Sequence, residues 1–184
     1  MFRPLLQLIL VMLLVAGVAD SARAIVYNGD PNLKLTLAVV VAGGGPTNFD
    51  AAKLLGVLAG PNTSAEVAKL KGQYGDQRFQ DFVSVFTYAI DDSLAVVTRE
   101  KIALPSEPDP APTDGKALSA ALYQAGMTPS GKWDVGYMLE GLISHPIHHV
   151  VMQDIDAKFT PATNASFHVI LTTAMQDLKA AYNL

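Results

Sequence analysis

Ten prolines, at positions 31, 46, 61, 105, 108, 110, 112, 129, 146 and 161, set the main limit on what this chain can form. Proline has no N–H to donate and holds φ near about −65°, so it suits the first turn of a helix and disrupts the interior of one. Six of them (31, 46, 61, 129, 146 and 161) stand where a run with helical spacing of apolar residues begins, and none interrupts such a run. Asp30-Pro31, Asn62 with Thr63-Ser64 ahead of Glu66, and Thr160-Pro161 read as N-terminal caps. The pattern predicts helices over 47–59, 63–73, 76–90, 92–102, 116–126, 131–144, 146–158 and 163–182.

Two of these carry clear stripes. Phe79, Phe82, Val83, Phe86 and Ile90 recur at i, i+3, i+4 and i+7, as do Phe167, Ile170, Leu171, Ala174, Leu178 and Ala181. Such stripes face a core. The residues expected deepest are Phe82, Phe86, Leu142, Ile170, Leu171 and Leu178. Residues 33–42 are ambiguous: Leu33, Leu35, Leu37, Val39 and Val41 alternate as in a strand, while the cap before them and Gly43 after them suit a helix. A lone strand would have nothing to pair with elsewhere in the sequence, so a helix is expected.

The other four prolines fall in one stretch, LPSEPDPAPTDG over 104–115, which predicts an extended, solvated connector. It separates a half spanning 25–103 from one spanning 116–184. Each half is small for a core of its own. The expectation is therefore a single all-α domain over 25–184, a bundle of about seven or eight helices joined across the middle by a long Pro-rich crossover.

The first 24 residues read as an export signal. Arg3 supplies a positive start, residues 5–18 form an apolar run, and Ala22-Arg23-Ala24 places small residues where a signal peptidase reads them. That run falls short of the roughly 20 residues a bilayer span needs, and no second run of spanning length follows. Cleavage after Ala24 predicts a mature chain starting at Ile25 in the periplasm or outside the cell. Loss of Arg3, Arg23 and Asp20 takes 13 basic and 17 acidic residues to 11 and 16, a net charge of −5. Such a balance argues against nucleic acid as partner, because phosphates call for clustered Lys and Arg. Cysteine is absent, which removes disulfides, thiolate chemistry, iron–sulfur clusters and covalently attached c-type haem.

Several motifs dissolve on inspection. VVVAGGGP, from Val39, has Gly43 and Gly45 in dinucleotide-loop spacing, but Asn48 stands at the third glycine position and no Gly-Lys-Ser/Thr follows. Asn62-Thr63-Ser64 and Asn164-Ala165-Ser166 match the glycosylation acceptor pattern, yet both fall where helix caps are expected. Asp91-Asp92 and Asp154/Asp156 lie near predicted helix ends or exposed faces, where carboxylates are ordinary. No Glu-x-x-His or His-Glu-x-x-His occurs, and no nucleophile with a base can be singled out; an enzyme is not the expectation.

What remains is HPIHHVVM over 145–152, which holds three of the four histidines of the chain. With Pro146 in the first turn, Ile147, Val150 and Val151 share one face, His149, Gln153 and Asp156 the opposite one, and His148, Met152 and Ile155 run along the border. His145 and His149 stand one turn apart, close enough for two imidazoles to converge on an ion. Imidazole suits Zn, Cu or Ni, and a thioether adds a preference for Cu(I); a histidine can also hold haem iron between helices. His145, His149 and His168 are the candidate metal ligands, and His145, His148, His149 and Met152 the candidate cofactor contacts. His168 opens the last helix and, if that helix pairs antiparallel with its predecessor, lies near the Asp156 end. The expected function is an exported helical binding protein for a transition metal or haem. The alternative is a structural or protein-interaction module without a small ligand.

Overall fold

The computed structural model describes residues 32–143 and 145–184, with the side chains of Asn32, Asn62, His145 and Pro146 outside that description. The leader expected at 1–24, the cleavage site expected at Ala22–Ala24 and the cap expected at Asp30-Pro31 lie outside the described residues.

Short polar side chains cap the starts of four of the eight helices among the described residues. Asp50 accepts from the Ala52 N–H at 2.7 Å, Asp114 from Ala117 at 3.0 Å, Asp134 from Tyr137 at 3.0 Å, and the Thr160 hydroxyl from Thr163 at 3.2 Å. Each satisfies a donor that the first turn leaves without a partner. The resulting α-helices are α1 (Asn32–Ala42), α2 (Ala51–Ala59), α3 (Thr63–Tyr74), α4 (Asp76–Arg99), α5 (Gly115–Ala125), α6 (Val135–Leu142), α7 (His145–Lys158) and α8 (Pro161–Tyr182). A 3-10 turn, Gly60–Asn62, joins α2 to α3. The described residues are all-helical and contain no strand; one isolated bridge pairs Met127 with Trp133.

Residues 33–42 are helical, as expected. Leu33, Ala38, Val39, Val40 and Ala42 are buried, and the buried Thr36 hydroxyl donates to the Leu142 carbonyl at the end of α6. Other boundaries moved. The two helices expected over 76–90 and 92–102 are one, because Asp91-Asp92 contains no helix breaker and the apolar stripe runs straight through it: Phe79, Phe82, Val85, Phe86, Ala89, Ile90, Val96 and Val97 are all buried. Val83, assigned to that stripe, is half-buried, and Val85 takes the inward position instead. The helix expected over 131–144 starts only at Val135. Ahead of it the Met127–Trp133 bridge and the Thr128 N–H to Lys132 carbonyl bond (2.8 Å) form a tight turn that Asp134 then caps. Pro46 and Pro129 sit in turns rather than in first helical positions, whereas Pro161 occupies one. Ala181 is exposed near the end of the last stripe.

The core forms where α4 and α8 run together, the most extensive pairing in the fold. Phe82 and Phe167 stack at 6.3 Å between ring centres, Phe86 tilts against Phe167 at 5.7 Å, and Phe79 against Phe82 at 5.6 Å. Such pairs add about 0.5–1.5 kcal/mol each beyond the area they bury. All six residues expected deepest are buried. Helix α7 covers a second flank of α4, and α2 with α5 and α6 closes the other side. The Leu58 carbonyl near the end of α2 accepts from Ser119 of α5 (3.3 Å) and Tyr182 of α8 (2.8 Å), so two distant elements satisfy one helix terminus. Between α4 and α5, residues 102–114 form neither helix nor strand and are mostly exposed. No helix among the described residues is long and apolar enough to cross a membrane.

Candidate metal-binding site

Helix α7 owes its orientation to three aliphatic residues. Ile147, Val151 and Ile155 are buried, at 1%, 1% and 2% exposure, and turn that side of the helix towards α4. Ile155 was expected on the border and Val150 inside; the structure reverses them, since the inward stripe follows i, i+4, i+8 and leaves Val150 half-buried. The opposite side is exposed at His149, Gln153 and Asp156, while His148 and Met152 are half-buried along the margin. The helix begins at His145, so His145 and His149 belong to one continuous helix, separated by a single turn of about 6 Å rise.

His168 belongs to a different neighbourhood. Only the short link at Phe159 and Thr160 separates α7 from α8, and Asn164 Nδ2 donates to Asp156 Oδ1 at 3.1 Å. His168 stands one turn beyond Asn164, its ring edge-on to Phe167 with centres 5.4 Å apart. Burial holds its pKa below the ordinary imidazole value, and the charges of Asp134 and Asp156 oppose that effect more weakly. The ring is therefore kept neutral, the form that binds metals, and lies in reach of the charges of two carboxylates rather than at the first turn of α7. Among the described residues no group of three or more His, Cys, Asp or Glu side chains is gathered to hold a metal ion. The clefts along α4, one beside Tyr88, Asp91 and Lys158 and another beside Leu94, Arg99 and Leu104, are lined by no histidine.

Two arrangements of carboxylates escaped the sequence reading. Asp92, in the middle of α4 and not at a helix end, meets Asp154 of α7; burial first and Asp154 second push its pKa up, against weaker opposing charges from Arg99 and Lys158. Lys158 lies 4.0 Å above the Tyr88 ring, and Phe159 packs edge-on against the same ring at 5.5 Å. Glu66 of α3 meets Asp177 of α8 in the same way. Neither pair has a signal in the sequence, because the partners are 62 and 111 positions apart and meet only through packing.

Comparison with protein-family models, with curated proteins and with solved structures returned no match. The functional reading rests on the chemistry of these side chains.

Proposed function

We propose that this chain is an exported helical binding protein that takes a transition-metal ion of the Zn2+, Ni2+ or Cu2+ class at the start of α7, through His145 and His149. The observation that carries the reading is their placement one turn apart in a continuous helix whose opposite side is anchored by Ile147, Val151 and Ile155. A helix held from behind restricts the backbone of both ligands before the ion arrives, which lowers the ordering cost of binding. Met152 and His148 flank the pair on the half-buried margin and are the further contacts for a softer ion or for haem. His168, neutral and beside carboxylates, is a separate ligand that would join only through an ion placed along the α7–α8 seam. The leader over 1–24 and the absence of cysteine support export to the periplasm or beyond, with the Pro-rich stretch at 104–115 as the crossover between the halves.

Binding needs neutral imidazole, so uptake falls as acid protonates the rings. Titration calorimetry of untagged protein with Zn2+, Ni2+, Cu2+ and haemin, beside a His145→Ala/His149→Ala double variant, tests the reading. The expected result is one-site metal binding in the wild type, its loss in the variant, and unchanged helix content. Equal uptake by both proteins would overturn it. A second reading, an interaction module without small ligand, draws on Val41, Tyr137 and Val169, large side chains left 45%, 43% and 37% exposed. No uptake of any of the four ligands by the wild type would leave that reading in place.

A further inference from the structure

Helix α3 is attached to the bundle unlike its neighbours. Leu70 is its one buried residue among those described, so little apolar surface holds it down. It is bounded by two glycines in the left-handed region, Gly60 at φ 56° and Gly75 at φ 84°, where residues with a Cβ are strained. It packs chiefly on α2 and α4, and its contact with α8 is a separate seam made largely of polar groups. The Tyr74 and Thr173 hydroxyls lie 2.7 Å apart, Lys69 Nζ is 2.6 Å from Asp177 Oδ2, and the Glu66 carboxyl faces the Asp177 carboxyl. Glu66 Oε1 is buried there with no hydrogen-bond partner. Two ionised carboxylates are acceptors only, so they meet without a hydrogen between them; one added proton supplies the missing donor and removes a like-charge contact.

We propose that α3 is a hinged helix fastened to α8 by a proton that Glu66 directs at the Asp177 carboxyl, and loosened when Glu66 ionises. Other charges near α3 are already engaged elsewhere. Lys71 pairs with Asp76 of α4 at 3.9 Å and lies 5.3 Å over the Phe79 ring, Arg78 of α4 lies over Tyr74 at 5.4 Å, and Asp81 accepts from Gln77. Lys53, the ionisable residue of α2, rests against the turn at Gly44, and Lys179 of α8 lies over Tyr123. The groups that face Glu66 are therefore Asp177 from α8 and Lys69 from its own helix. Burial and then the Asp177 charge raise the Glu66 pKa above its ordinary 4.5, and Lys69 offsets part of the rise. Because the fastened state holds the proton more tightly than the loosened one, fastening is complete below that ordinary value and is lost as pH rises through the raised one.

Hydrogen–deuterium exchange on the full chain, at pH about 4 and about 7.5 and corrected for the intrinsic rate, reads the fastening directly, since the lower condition lies below the ordinary Glu66 value of 4.5. Peptides of α3 should lose protection several-fold between the two conditions relative to peptides of α4. Glu66→Gln, which keeps a donor at every pH, should hold the acid-level protection at both. Glu66→Ala, with neither charge nor donor, should show the weaker protection at both. Protection of α3 that tracks α4 across pH in the wild type, or a full pH response surviving in either variant, would overturn the proposal.

Discussion

Asp92 shows how far the chemistry of a residue depends on what the fold puts opposite it. In sequence it is half of an Asp-Asp step at an apparent helix end. In the fold it faces Asp154 across the α4–α7 seam, with Oδ2 buried and without a hydrogen-bond partner. Its folded-state pKa is raised, so the protonated form favours folding; that contribution is present below the ordinary value of 3.8 and is lost as pH rises through the raised one. Replacement by Asn should therefore raise the thermal midpoint by a few degrees at neutral pH and change little near pH about 2.5, well below the ordinary value, where the carboxyl is protonated in both states. Calorimetric scans of the two proteins at both conditions check this, and a lower midpoint for Asp92→Asn at neutral pH would show the carboxylate to be a stabilising one.

At the scale of elements, most helix ends fell within two residues of expectation, while the starts expected at 47 and 131 moved to Ala51 and Val135, where Asp50 and Asp134 cap them. Thr160, Asp50, Asp114 and Asp134 each cap through a side-chain oxygen aimed at an N–H two or three residues on, a contact that needs no tertiary context. Whether a helix continues past a polar step is decided by what lies alongside it. Helix α4 runs on through Asp91-Asp92 because α7 and α8 cover its apolar stripe on both sides of that step. The cluster of Phe79, Phe82, Phe86 and Phe167 fixes the α4–α8 contact, and Phe82 is in stacking or tilted contact with all the others. Phe82→Ala should cost about 3–5 kcal/mol in urea denaturation, the range for removing a fully buried ring. A loss below about 1 kcal/mol would mean that the cluster does not organise the core.

Over the whole molecule, the stretch at 104–115 divides the sequence without dividing the core, since α4 lies before it and α8 after it. The exposed backbone of this stretch makes it the expected first site of proteolysis. It contains no Lys or Arg, so a protease of broad specificity such as subtilisin is the suitable probe. The two fragments should stay associated on a sizing column, because separating them would expose the α4–α8 seam. First cuts inside α4 or α8, or fragments that elute apart, would contradict this account of how the halves are held.

Helix class, most helix positions and the deepest side chains were legible in the residues alone. Proline placement, capping side chains and i, i+3, i+4 spacing act within one or two turns, so the chain carries that information locally. The orientation of α7, which leaves His149 exposed and His148 and Met152 half-buried, was partly legible for the same reason. The nearness of His168 to Asp156 was expected from antiparallel pairing of the last two helices, but its nearness to Asp134, the meeting of Asp92 with Asp154 and of Glu66 with Asp177, and the continuity of α4 were decided only by the tertiary structure. Each depends on which helix packs against which, and at what height. That relation is set by the joint burial of apolar faces far apart in sequence, and no short window of residues contains it.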